Sequence, residues 1–123
     1  MAVEFVRVGD VITYSNTGSA ISKGDVVVMK HTIGIALDDI AATTGVGPVA
    51  ISGHFKGLPK VTAAVFVQGE KLIWDESEDK FDDSAATPAT TDITGACIAA
   101  VAGLNGETTC EVILTPGNTT LTP

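Results

Sequence analysis

The side chains of this sequence that could do chemistry are few: His31 and His54, Cys97 and Cys110, and the acidic run Asp75, Glu76, Glu78, Asp79, Asp82 and Asp83. Two imidazoles with carboxylates suit zinc, but neither histidine belongs to an H-E-x-x-H pattern or neighbours a cysteine pair. A zinc site would need both histidines and distant carboxylates to converge. The acidic run, W-D-E-S-E-D-K-F-D-D, carries oxygens enough for a calcium ion. It lacks the glycine and the closing glutamate of an EF-hand loop, and paired glycosidase carboxylates come from strands flanking a cleft. The run reads as a solvated hairpin tip, with a weak cation site as the lesser reading. There is no G-x-S-x-G elbow, and neither cysteine lies in a nucleophile motif. Gly45 to Ala50 matches G-x-G-x-x-A, yet Pro48 and an alternating stretch follow where a dinucleotide fingerprint needs a helix N-terminus. A phosphate-cradling G-x-x-x-x-G-K-[ST] loop is missing. The expectation is a protein with no catalytic residues, no metal and no cofactor, hence not an enzyme.

The elements that would position these groups are strands. With 123 residues the chain has room for one domain, and its 45% apolar content includes only 5% aromatic residues. Such a core is built from small and β-branched side chains and is modest, so self-association is a reasonable expectation. Helical periodicity is nearly absent, and short alternating runs dominate. Ile33, Ile35 and Leu37 share one face; Val49, Ile51, Gly53 and Phe55 continue the same alternation later. Both read as half-buried strands. With Val11 to Tyr14, Val26 to Met29, Leu72 to Asp75, Cys97 to Val101 and Cys110 to Leu114, about seven or eight strands predict an all-β sandwich or barrel-like domain with little or no helix. Residues 1–123 form that single β domain, 1–7 a contact arm and 115–123 a polar tail.

Three local structures can be written in detail. Asn105-Gly106 between two β runs predicts a type I′ turn pairing Leu104 with Glu107. That register sets Val101 opposite Cys110, Ala99 opposite Val112 and Cys97 opposite Leu114, all on one face, with the thiols too far apart to bridge. Both cysteines read as buried and free. Leu72 and Trp74 share a face, and burying the indole, worth on the order of 4 kcal/mol, anchors the acidic hairpin on the core. Finally, Gly9-Asp10, Gly24-Asp25 and Gly69-Glu70 each precede β-formers. In each, glycine supplies a positive-φ turn and the acid accepts local backbone N–H groups at a strand start. Segment 84–94 is small and polar, fitting either an ordered crossing or a mobile loop.

Seven basic against fifteen acidic residues give a net charge of −8, which repels phosphate backbones and excludes non-specific nucleic-acid binding. The first residues show no leader pattern, and no apolar stretch approaches the ~20 residues that span a bilayer. The expectation is therefore a chain made in the cytosol, with no membrane partner.

The order F-V-R-V-G-D-V-I, G-D-V-V-V, I-G-I-A-L-D-D-I, V-A-I-S-G-H-F-K-G-L-P-K and Q-G-E-K-L-I-W-D resembles a family of small tailed-phage proteins over nearly the whole chain. That family carries two labels, a RecA/RadA-type recombinase and a capsid cement or decoration protein. A recombinase needs a nucleotide loop, a large α/β core and a basic DNA path, and this chain has none of the three. The resemblance then implies a decoration protein on the outer surface of the expanded head, assembled in the host cytoplasm. It also implies the major capsid protein as partner and a homo-oligomer, the trimer favoured. Ala2, Val3, Glu4, Phe5, Val6 and Arg7 are the candidate capsid or inter-subunit contact, since their alternation suits addition to a partner's sheet edge. The other reading makes them the first strand of the domain. Rival functions are a metal-dependent hydrolase using His54 and the acidic loop, and a carbohydrate- or receptor-binding β module.

Overall fold

The computed structural model describes residues 3–6 and 8–123. Ten strands form among them and no helix, as the alternating runs predict: β1 (Val11–Ser15), β2 (Val26–Val28), β3 (Ile33–Ala36), β4 (Val46–Ala50), β5 (Gly53–Pro59), β6 (Lys71–Asp75), β7 (Lys80–Asp82), β8 (Ile93–Ala99), β9 (Thr109–Leu114) and β10 (Thr120–Leu121). The strands make two antiparallel sheets, β1-β4-β3-β2 and β5-β9-β8-β6-β7, with β10 added to β8. The larger sheet curls until its two ends meet. Lys60, just past β5, bridges Phe81 of β7, and the Val61 N–H donates to the Phe81 carbonyl at 2.9 Å. Curling covers much of the edge that an open sheet would leave unpaired.

The main core lies inside this curl and is capped by the smaller sheet. Val26, Val28, Ile33 and Ile35 pack with Leu72, Trp74, Phe81, Ile93 and Val112. Trp74 and Phe81 are cross-strand partners, with ring centroids 4.9 Å apart in an edge-to-face arrangement that suits their quadrupoles. The other face of the smaller sheet, Val27, Ala36 and Val49, is covered by Ile40 with Ile12, Tyr14, Ile21 and Met29 around it. Ile33 through Ala36 are therefore buried on both faces, and Leu37, expected inside with them, is partly exposed. Half-burial was the wrong expectation for β3 because a second layer closes over it. The alternation from Val49 to Phe55 is likewise not one strand. Pairing ends at Ala50, and the chain changes sheets through Ile51-Ser52 and Gly53.

A lysine sits in this core. Lys60 is 1% exposed, and its Nζ donates to the carbonyls of Val61 (2.9 Å), Thr62 (3.2 Å), Leu104 (3.0 Å) and Glu107 (3.3 Å). The Phe66 ring lies beneath it, 5.9 Å from Nζ to centroid. A buried ammonium is costly unless its protons are all engaged, and here four acceptors surround three donors.

This cage overrides the tight hairpin. Cys97↔Leu114 and Ala99↔Val112 both form as the register predicts. Cys97, Ala99, Cys110, Val112 and Leu114 are all buried, but Val101 is half exposed. Past Ala100 the strands part: Gly103 pairs with Phe66, the Gly106 N–H donates to Thr62 O at 2.8 Å, and Leu104 and Glu107 turn their carbonyls to Lys60. Only Gly106 of the Asn-Gly pair takes a positive φ, 96°, so the turn is not type I′. Two of the three Gly-acid units behave as expected. Gly24 and Gly69 have positive φ, Asp25 accepts from Ser22 N–H, and Glu70 accepts from Val67 and Ser84. Gly9 does not take a positive φ.

Candidate functional site

The residues that could do chemistry are dispersed. His54 on β5 is exposed, and its Nε2 meets Glu111 Oε2 on β9 at 2.6 Å, so its partner is not the acidic hairpin. His31 is an exposed residue of the β2–β3 connection. Cys97 and Cys110 are free and buried. Burial pushes the Cys110 thiol up to about 12, against the opposing Lys60 charge, and pushes Cys97 higher still. Neither is a nucleophile at neutral pH. Among the described residues no three His, Cys, Asp or Glu side chains form a group able to hold a metal ion.

The acidic run forms the β6–β7 hairpin, with Asp75 Oδ1 accepting from the Ser77 N–H, the Ser77 hydroxyl and the Glu78 N–H around the turn. Segment 84–94 is tied at both ends: Asp83 accepts from Ala85 and Ala86, and Asp92 from Ala89 and Glu76. Glu76 is the strained carboxylate of this region. Burial pushes its pKa above the usual range, Asp79, Asp92 and Asp75 add to the shift, and the Trp74 indole opposes it. Trp74 Nε1 and Glu76 Oε2 are nevertheless both buried without a hydrogen bond of good geometry. The fold therefore favours protonated Glu76. That contribution is complete below the unfolded-state pKa and is lost as pH rises through the raised folded value. Glu76→Gln should accordingly raise the urea midpoint near pH 7 by a small amount, solvent screening limiting the effect at this partly exposed site, and the gain should vanish near pH 3.5, below the ordinary carboxylate range. Urea midpoints at the two pH values check this; a Gln variant weaker than the parent at neutral pH contradicts it.

What the surface does offer is apolar. Ala2 and Arg7 of the candidate contact lie outside the described residues. Val3, Phe5 and Val6 are 92%, 83% and 86% exposed, Val8 is 68% exposed, and Glu4 is exposed beside them. Residues 3–6 belong to neither sheet. A second exposed set, Val65, Val67, Val101 and Leu104, surrounds the Phe66–Gly103 bridge at the parted end of β8 and β9. Sequence reasoning missed this set. The signal available was Val65-Phe66-Val67, three successive apolar residues of which alternation can bury only the middle one.

A compact acidic β body with an apolar arm, and no assembled catalytic group among the described residues, suits a protein that works by contact. The sequence model of the family described as phage cement protein matches residues 6–114. The chain belongs to that family. No curated protein matches it significantly. As a phage cement protein it is a component associated with the phage capsid, and the recombinase label finds no counterpart in its all-β fold. The matched span takes in both sheets through β9, together with Val6 and Val8 of the arm, and leaves β10 outside.

Proposed function

We propose that this cement protein docks on the outer surface of the expanded phage head and stabilises contacts between major capsid subunits, as a trimer assembled in the host cytoplasm. It acts through contact area and not through catalysis. The observation that carries the reading is the arm: just before β1, Val3, Phe5, Val6 and Val8 stand in solvent, each more exposed than any other large apolar side chain among the described residues. As an extended segment the arm would turn Val3 and Phe5 to one side and Val6 and Val8 to the other. Apolar groups on both sides suit a strand laid against a partner's sheet edge and covered from above. Many such contacts repeated over a shell add up through multivalency, so each one can be weak.

Co-sedimentation with expanded shells lacking the protein, with unexpanded shells and with DNA tests this. Saturable binding to expanded shells alone is expected, and deleting residues 2–6 should weaken it by roughly tenfold or more through lost contacts and avidity. Absence of binding to any shell by the folded chain would remove the cement reading; binding unchanged by the deletion would remove the arm from it.

A further inference from the structure

The free edge of β2 borders a groove. In the smaller sheet β2 is the outermost strand, paired with β3 alone among the described residues. The Ala36 N–H donates to the Asp25 carbonyl at 3.0 Å and the Met29 N–H to the Thr32 carbonyl at 2.8 Å. Alternation between those two points therefore turns the main-chain N–H and C=O of Val26 and Val28 away from β3. Two hollows lie along the strand, one of about 760 Å³ bordered by Asp25 and Val26 and one of about 310 Å³ bordered by Val28 and Lys30. Glu76, in the β6–β7 hairpin, lines both; Trp74 and Asp79 also line the first. Three unmet demands gather there. Two residues of β2 turn polar main-chain groups out of their own sheet. The Trp74 indole, 2% exposed, has no hydrogen-bond acceptor. Glu76 Oε2 is buried with no donor, among like charges.

We infer that this groove receives an extended, arginine- or lysine-bearing segment of another protein, which adds as a strand to β2 and sets a cationic side chain against Glu76. Such a segment meets all three demands at once: its main chain pairs with Val26 and Val28, one of its carbonyls accepts from the Trp74 indole, and its cation faces Glu76 Oε2. A bare metal ion answers only the last, and among the described residues no three His, Cys, Asp or Glu side chains form a group able to hold one. Charge selects the occupant. Asp25, Glu76 and Asp79 line the hollows against the single cation of Lys30, and Asp75 and Asp92 add their repulsion at Glu76. A second copy, with net charge −8, is repelled from such a groove, and its residues 115–123 hold no basic side chain to offer. Nucleic acid is repelled for the same reason. The contact is also separate from the N-terminal arm, which leads into β1 at the opposite edge of the sheet, so it does not rest on the docking role given to the arm.

Nuclear magnetic resonance on the full chain tests this with two synthetic probes, end-blocked peptides of sequence T-V-R-V-T and T-V-E-V-T. At pH 7 the arginine peptide should shift the indole N–H resonance of Trp74, the single tryptophan, together with the amide resonances of Val26 and Val28, saturably. It should also slow hydrogen exchange at those two amides. The glutamate peptide should bind more weakly by roughly fivefold or more, and Glu76→Gln should weaken the arginine peptide by a similar factor, about what one partly exposed ion pair supplies. No shift with the arginine peptide at millimolar concentration, or indifference to either exchange of charge, overturns the inference. Shifts spread over the acidic surface that leave the Trp74 indole and β2 unmoved mean adventitious attraction only and overturn it as well. Should the same resonances move when the protein's own concentration is raised without peptide, a second copy is the occupant and the inference falls. Neither the arm nor any shell enters this experiment, so its failure leaves the capsid docking reading standing, and a chain that ignores every shell leaves this groove to be judged by the peptides.

Discussion

Lys60→Met should destabilise the protein by about 3–5 kcal/mol, the range for breaking a buried charge interaction from one side. The substitution keeps an unbranched apolar stem one atom shorter than lysine's, so the packing on Phe66 is roughly preserved and the main loss is that of the ammonium. Replacing a buried ionic group by a hydrophobic one is often harmless when both partners change. Here the partners are main-chain carbonyls of Val61, Thr62, Leu104 and Glu107, which no substitution removes. Each carbonyl left without a donor costs about 1–3 kcal/mol. The total stays below their sum because Leu104 and Glu107 lie on an exposed loop and can recover water. Unfolding in urea, followed by fluorescence of the single Trp74, measures the change. A cost under about 1 kcal/mol would show that the cage is not what holds segments 60–62 and 104–107 together. Since stabilities of small domains are about 5–15 kcal/mol, the variant should be close to its unfolding threshold.

The same cage explains where the sequence misleads. The register of β8 on β9 is readable because two local signals agree, the alternation of Cys97 and Ala99 against Val112 and Leu114 and the Asn-Gly pair. The opening beyond Ala100 is unreadable because its cause, Lys60, lies 44 and 47 positions from the carbonyls it draws in. The β4–β5 break shows the opposite failure: the alternation from Val49 to Phe55 continues unbroken while the chain crosses between sheets. Alternation reports which side a residue faces and carries no information about which sheet it faces from. Burial of β3 on both faces depends on Ile40 and Ile21 arriving from loops, again a long-range fact. The chemistry was easier to read than the surface. Motif spacing gives His31, His54 and the acidic run no shared pattern, and the His54–Glu111 pair, 57 positions apart, has no sequence signature either. Nor has the parted end of β8 and β9, where local pattern would have zipped the two strands together.

Gly95→Ala should cost about 3 kcal/mol, most of it through one contact with the C-terminal segment. Opposite β6 the register of β8 jumps from Cys97↔Leu72 to Thr94↔Ile73, leaving Gly95 and Ala96 as a bulge. Gly95 takes φ +76° there, and a Cβ would lie 2.4 Å from the carbonyl oxygen of Asn118. The bulge is also where the end of the chain is fastened: Thr115 Oγ1 donates to Gly95 O at 2.8 Å, Thr115 N–H to Ala96 O at 3.1 Å, and β10 pairs with Thr94 and Ile93 just beyond. Left-handed φ alone costs an alanine about 1–2 kcal/mol. The remainder must come from pushing the Asn118 backbone away and loosening β10. A double-mutant cycle separates the two. Removing residues 117–123 is itself destabilising, but it also removes Asn118, so in that background Gly95→Ala should cost only about 1 kcal/mol, a coupling within the range seen for residues in contact. Equal costs in the two backgrounds would place the whole penalty in the backbone conformation and would mean that the C-terminal segment yields freely. Unequal costs would mean that the bulge sets the position of β10.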